Sequence, residues 1–208
     1  MGEEILFLFA PGPAAIVALA PRSERWAAEV PANRTGARLV TDHLLSLGHV
    51  DVGMISGPAA LRTSRERELG YLEAMKAAGL KPVIVRADFT LAGGADAMAR
   101  LLNGGSPTAV FVASDTMALG ALSELGRRGI RVPADVSVAG FDDIPGLEFI
   151  QPRLTTVHVR MAKLGAAGVA RLPRLLDGDG KDTRTHVHAV ELVVREGTAT
   201  LHKVSQAG

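Results

Sequence analysis

The sequence predicts an α/β fold built on a doubly wound parallel sheet, and three observations predict it. Short apolar runs at Val50–Ile55, Lys81–Val85, Ala109–Ala113 and Val136–Ala139 alternate with helical segments of about a dozen residues. The Ala109–Ala113 run is nearly continuous, as a strand buried on both faces requires. Gly48, Gly79 and Gly129 each close a helical segment, where a glycine ends the helix at low steric cost. Right-handed crossovers then put helices on both faces of the sheet, and ligands bind beyond the carboxyl ends of its strands.

In order along the chain, Ile5–Phe9 and Ala14–Ala20 read as two short strands joined by a Pro11-Gly12-Pro13 turn. The same stretch imitates the apolar part of an export signal. Against that reading, Glu3 and Glu4 stand where such a signal carries positive charge and the prolines split the apolar run, so a cytoplasmic protein is expected. A helix follows at Arg34–Leu47, with Ala37, Val40, Leu44 and Leu47 on one face. The Val50–Ile55 strand ends in Ser56-Gly57-Pro58, and a second helix covers Ser64–Ala78. After the Lys81–Val85 strand and an Asp88–Thr90 turn, a helix over Leu91–Leu102 stops at Asn103-Gly104-Gly105. Thr116–Arg128 is the helix between the last two strands.

Composition excludes several classes of function. Lys and Arg number 23 against 22 Asp and Glu, a net charge of +1 with no basic stripe of the kind that holds DNA phosphates. Cysteine is absent, which removes disulfides, thiol catalysis and thiolate-held metals. The apolar stretches fall short of the ~18 residues a membrane-spanning helix needs. Neither a Gly-x-Ser-x-Gly elbow, a P-loop nor a Gly-x-Gly-x-x-Gly motif occurs, so no enzyme, no cofactor and no metal is expected. His186-x-His188 reads as a half-exposed strand rather than a metal site, and His43 and His49 bracket a helix end.

The segments after the four strands bring Arg67, Ser114, Asp115, Asp142 and Asp143 to one edge of the sheet. A guanidinium fork and carboxylates suit a polyhydroxylated ligand: carboxylates accept from adjacent hydroxyls, and arginine donates two parallel bonds. Plainer readings stand beside these. Ser114 or Asp115 would also serve as the N-cap of the helix that follows, Arg67 as part of a solvated charged turn, and Asp142-Asp143 as a polar turn before Pro145-Gly146.

The stretch AVFVASDTMALGALSELGRRGIRVPADVSVAGFDDI, Ala109–Ile144, closely resembles the core of the lactose/galactose repressor (LacI/GalR) family of bacterial transcription regulators. So do Ala32–Pro58, Arg65–Leu80, Pro152–Leu172 and Val190–Ala199, in the family's order and spacing. The resemblance implies a periplasmic-binding-protein-like I fold: a Rossmann-like lobe, a truncated second lobe, and a small sugar or nucleoside effector in the cleft between them. It implies that Arg67, Ser114, Asp115, Phe141 and Asp142 bind the effector. Two departures stand out. Val159 occupies a position where many relatives carry a polar contact, which leaves His158 or Arg160 to substitute, and Ala32-Asn33 replaces an Asp-Asn pair.

By this alignment the C-terminal lobe comprises residues 33–156 and 185–200, a partial N-terminal lobe comprises 1–32 and 157–184, and 201–208 form a tail. No helix-turn-helix is expected in the chain, so operator DNA is reached only through a headpiece outside it. A homodimer is a family expectation, with the loop Ile144–Pro152 offering Leu147, Phe149 and Ile150 as apolar contacts. The leading expectation is therefore the ligand-sensing and dimerisation core of a sugar-responsive repressor. The alternative is the sugar-binding protein of an ABC-type transporter, which shares the fold.

Overall fold

The computed structural model describes residues 7–9, 16–18, 27–176 and 184–201. From the amino end come β1 (Phe7–Phe9), β2 (Ile16–Ala18), β3 (Ala27–Pro31), α1 (Asn33–Ser46), β4 (Val52–Ser56), α2 (Arg62–Ala77) and β5 (Val83–Arg86). Then follow α3 (Leu91–Gly104), β6 (Ala109–Val112), α4 (Asp115–Arg127) and β7 (Ser137–Asp142). A short 3-10 turn at Leu147–Phe149 leads to β8 (Thr155–His158), α5 (Met161–Leu176), β9 (Thr185–His188) and β10 (Glu191–Val193). The Pro11-Gly12-Pro13 turn lies outside the described residues. Among those residues no helix is long and apolar enough to cross a membrane.

Six strands pair in the order β10-β8-β7-β6-β4-β5. Neighbours run parallel except at the edge, where β10 lies antiparallel to β8. The chain steps outward from β4 to β5, then returns past β4 to β6 and β7. Right-handed crossovers make that reversal put α2 on one face and α3 and α4 on the other. The crevice beyond the carboxyl ends of β4 and β6 is thus the topological switch point, where doubly wound sheets hold their ligands. Apolar residues fill the sheet's two faces: every residue of β6 is fully buried, and so are Met54, Tyr71, Met98, Met117 and Phe141. The Tyr71 hydroxyl donates to the Val52 carbonyl at 2.8 Å and accepts from the Val83 amide at 2.9 Å, tying α2 to β4 and β5.

α3 and α4 pack backbone to backbone because each presents a glycine to the other. A Cβ on Gly120 would lie 1.9 Å from the Leu91 carbonyl oxygen, and one on Gly94 would lie 2.1 Å from that of Met117. These obstacles are backbone atoms, so the helices themselves must part. Gly120→Ala is expected to destabilise the chain by ~1–3 kcal/mol, read as a lower urea midpoint with unchanged slope. A midpoint equal to wild type would show that the pair separates freely.

The second sheet has the order β1-β2-β3-β9, with β1 antiparallel to β2 and the other pairs parallel. α5 packs on β2 and β3. Strand pairing corrects the expected division of the chain in two places. β8 continues to His158 inside the six-stranded sheet, although residues from 157 onward were expected in the N-terminal lobe. The stretch 185–200, expected wholly in the C-terminal lobe, divides: β9 pairs with β3, and β10 with β8. The cause is a buried carboxylate. Glu29 on β3 is 1% exposed. It meets Arg171 at 3.1 Å, His186 at 3.0 Å and His188 at 2.6 Å, which fastens α5 and β9 to β3. His186-x-His188 is thus a strand whose imidazoles face an acid. The chain passes between the sheets at Ala32, at Val159-Arg160 and at Ala189-Val190.

Candidate functional site

Arg67 leaves the second turn of α2 and ends under the switch point, 4% exposed. Its Nε donates to Asn33 Oδ1 at 2.9 Å, its Nη1 to the Ala113 carbonyl and its Nη2 to Asp142 Oδ1 at 2.9 Å. The guanidinium carbon lies 3.8 Å from the centre of the Phe141 ring, a cation–π contact in a desolvated setting. Gly36 makes room for that ring: a Cβ there would come within 2.8 Å of it. The plain reading of Arg67 as a solvated surface charge is therefore wrong. Asn33 from α1, Arg67 from α2, the Ala113 carbonyl just after β6, and Phe141 with Asp142 from β7 thus meet in a single centre.

Asp142 is the member that reaches solvent, with its side chain 30% exposed. Its carboxyl is pushed above the usual range by burial, and Arg67 opposes the rise. Asp142 and Asp143 have φ of 111° and 57°, a left-handed pair at the end of β7 that non-glycine residues adopt at some cost. Such strain concentrates at functional sites. The turn aims the two carboxylates differently: Asp142 faces Arg67, while Asp143 receives His158 Nδ1 at 2.9 Å and Arg195 Nη1 at 2.8 Å.

The remaining sequence-derived candidates make contacts within the chain. Ser114 caps α4, its Oγ accepting from the Met117 amide at 3.3 Å. Asp115 is fully buried. It accepts from Thr156 Oγ1 at 2.6 Å and from the Ile144 amide at 3.1 Å, so it ties β8 and the loop after β7 to α4. Burial pushes its carboxyl up to about 7, the Thr156 bond opposes, and nearby Asp142 adds to the rise. Arg160 points outward to Glu191 at 3.0 Å, and both side chains are about half exposed. In the loop Ile144–Pro152, Leu147 is buried and Phe149 is 84% exposed.

Asn33, which the resemblance marks at the crossover, completes the edge together with Phe89 and two serines that the sequence reading did not single out. Phe89 has a left-handed φ of 64°, and its ring lies over Gly57, where a Cβ would stand 2.1 Å from Cζ. Ser56 and Ser64 are fully buried beside it, and neither Oγ has a hydrogen-bond partner among the described residues. The available signal was Ser56-Gly57-Pro58 at a strand end, followed by Ser64 in the first turn of the next helix.

A two-sheet α/β architecture with three crossings and a charged centre at the switch point defines a class of ligand-binding protein. Residues 41–198 match the model of the periplasmic binding protein-like domain, and the chain belongs to that family. Within it the chain is similar to LacI-family regulators. It is 36% identical over 168 residues to the HTH-type transcriptional repressor PurR of Pasteurella multocida, covering 77% of this chain and 49% of that protein. With the repressor CytR of Escherichia coli K12 it shares 36% over 173 residues, covering 81% and 51%. The chain thus spans about half the length of the curated relatives it matches. Among solved structures, a LacI family regulator of Enterococcus faecium with bound ribose superposes at a TM-score of 0.80 with 26% identity, over 86% of this chain and 68% of that one. A lac repressor dimer bound to operator matches at 0.80 with 31% identity, over 88% and 65%.

Proposed function

We propose that this chain is the ligand-sensing and dimerisation core of a LacI-family transcriptional regulator. It holds a sugar-like effector at the switch point, between the two sheets. The observation that carries this reading is the Arg67–Asp142–Phe141 centre. A partly exposed carboxylate, oriented by a buried guanidinium, is an acceptor for paired hydroxyls, and its aromatic floor excludes water. The three backbone crossings beside it let the sheets close on a ligand. Effector binding then shifts the populations of open and closed states and changes operator affinity at a distance. Operator DNA is reached through a headpiece rather than through this core. Phe149 is the exposed apolar side chain of the loop assigned to dimer contact. The site binds rather than transforms its ligand, and the protein works in the cytoplasm. Similarity to repressors favours this reading over a transporter's sugar-binding protein.

Calorimetry with a panel of pentoses, hexoses and nucleosides tests the assignment. A sugar that binds the wild-type chain is expected to lose about 10- to 100-fold in affinity in Asp142→Ala, the effect of one charge-assisted hydrogen bond. A ligand that keeps its affinity in that variant would place the site elsewhere.

A further inference from the structure

The two histidines around the end of α1 meet at the opposite end of the six-stranded sheet from the ligand edge, and both grip one segment of chain. His49 is 3% exposed with both ring nitrogens engaged, Nε2 with the Ala199 carbonyl at 3.0 Å and Nδ1 with Thr108 Oγ1 at 3.0 Å. His43, half-buried in the last turn of α1, meets Thr198 Oγ1 at 2.9 Å through Nε2. The segment they hold, residues 197–201, is a strap that follows β10 and crosses the amino ends of β7 and β8. The Val138 amide donates to the Gly197 carbonyl at 2.8 Å, the Ala199 amide to Ser137 Oγ at 3.1 Å and the Leu201 amide to the Leu47 carbonyl at 2.9 Å. Gly197 lets the strap lie flush, because a Cβ there would stand 2.7 Å from the Val138 carbonyl oxygen.

We propose that His43 and His49 form an acid-sensitive latch: uncharged they hold the strap against the sheet, and protonated they release it. A carbonyl only accepts, so His49 Nε2 carries the proton of the neutral ring and Nδ1 accepts from the Thr108 hydroxyl. A second proton makes Nδ1 a donor and turns that hydroxyl toward the Asp51 carbonyl, at 3.5 Å the limit of a hydrogen bond. Among the described residues neither imidazole has an ion pair. The charged side chains of the surrounding elements are engaged elsewhere: Asp42 with Arg38, Asp135 with Arg131, Arg195 with Asp143 and Glu196 with Arg153. The dipole at the carboxyl end of α1 favours a charge on His43, but burial outweighs it and holds the ring below the usual imidazole range, and His49 adds to the lowering. Burial lowers His49 as well, opposed by its bond to Ala199. Each ring gains water for its charge only when the strap lifts. Folded values below the unfolded one mean that docking is complete above about pH 6.5 and is lost as pH falls through the folded values.

Once the strap is open both imidazoles meet water as they do in the unfolded chain, so opening is read at the strap's own amides. The test is amide hydrogen exchange of the full chain followed by NMR at about pH 7.5 and about pH 5, corrected for the intrinsic exchange rate. The Ala199 and Leu201 amides are expected to lose at least about tenfold in protection in acid, while those of Val110 and Val112 in β6 keep theirs. Glutamine keeps a donor and an acceptor but does not titrate, so the double variant His43→Gln, His49→Gln is expected to hold the strap equally at both pH values. His43→Gln alone, which alters only the half-buried member, is expected to reduce the steepness of opening against pH from about two protons to about one. Strap amides equally protected at both pH values in the wild-type chain would overturn the proposal. So would loss of protection in the strap and β6 together, which marks global unfolding, or steepness unchanged in His43→Gln.

Discussion

Arg67→Ala is expected to remove ~3–5 kcal/mol of stability at neutral pH, the range found when one partner of a buried ion pair is deleted. The substitution leaves the Ala113 carbonyl, Asn33 Oδ1 and the inner oxygen of Asp142 without their donor, and it uncovers the face of Phe141. Asp142 then decides how the loss varies with pH. In the wild-type chain burial raises its carboxyl and Arg67 holds the rise down. Without Arg67 the folded-state value moves further above the unfolded one. A group raised in this way contributes stability below its unfolded value, and that contribution is lost as pH rises through the folded value. The deficit of Arg67→Ala is therefore smallest in acid and widens toward neutrality. Urea unfolding of both proteins at several pH values measures it. Asp142→Asn in the same background should recover part of the loss, because the neutral amide no longer requires a counter-charge. A pH-independent deficit would mean that packing on Phe141, not the ion pair, is what Arg67 supplies.

The parts of this fold legible in the sequence are those where burial alone dictates residue type. β4, β6 and β7 lie between two helical layers, so they are apolar runs, and the reversal of their order follows from crossover handedness. β8 escaped notice because Thr155 and Thr156 are buried through hydrogen bonds rather than through apolarity. Thr155 bonds Arg195 and Thr156 bonds Asp115, partners some 40 residues away in sequence. β9 is polar and mostly exposed, and its place beside β3 depends on Glu29, which sits in a different part of the chain. The site shows the same division. Topology alone carries Arg67 and Asp142 to one edge, whereas the allocation of roles between Ser114 and Asp115 depends on which side chain the helix start turns outward. Ser114 takes the cap, and Asp115 is turned inward against Gly140, where a Cβ would stand 2.1 Å from its Oδ1.

Asp115 is expected to make the protein lose stability between about pH 4 and 7, the reverse of the usual behaviour of a paired carboxylate. Burial lifts its carboxyl to about 7 in the folded chain, against about 4 when unfolded. The folded state thus holds a proton that the unfolded state releases throughout this window. Stability attributable to Asp115 is complete below the unfolded value and falls with a slope of up to ~1.4 kcal/mol per pH unit until the folded carboxyl ionises. Arg67 does not screen it, because that guanidinium is committed to Asp142, whose own charge works against ionisation of Asp115. Asp115→Asn should flatten most of the slope and leave only the contribution of Asp142. The amide keeps both contacts, accepting from the Ile144 amide and donating to Thr156 Oγ1. Asp115→Ala should instead be destabilised at every pH, because it frees β8 and the loop after β7 together. That loop begins at the left-handed pair Asp142 and Asp143. Ligand affinity is expected to stay level over the same interval in both chains, because the folded carboxyl keeps its proton until about pH 7. If the two chains keep parallel stability profiles from pH 4 to 7, Asp115 is ionised throughout, and its bonds to Thr156 and Ile144 are those of a permanent carboxylate.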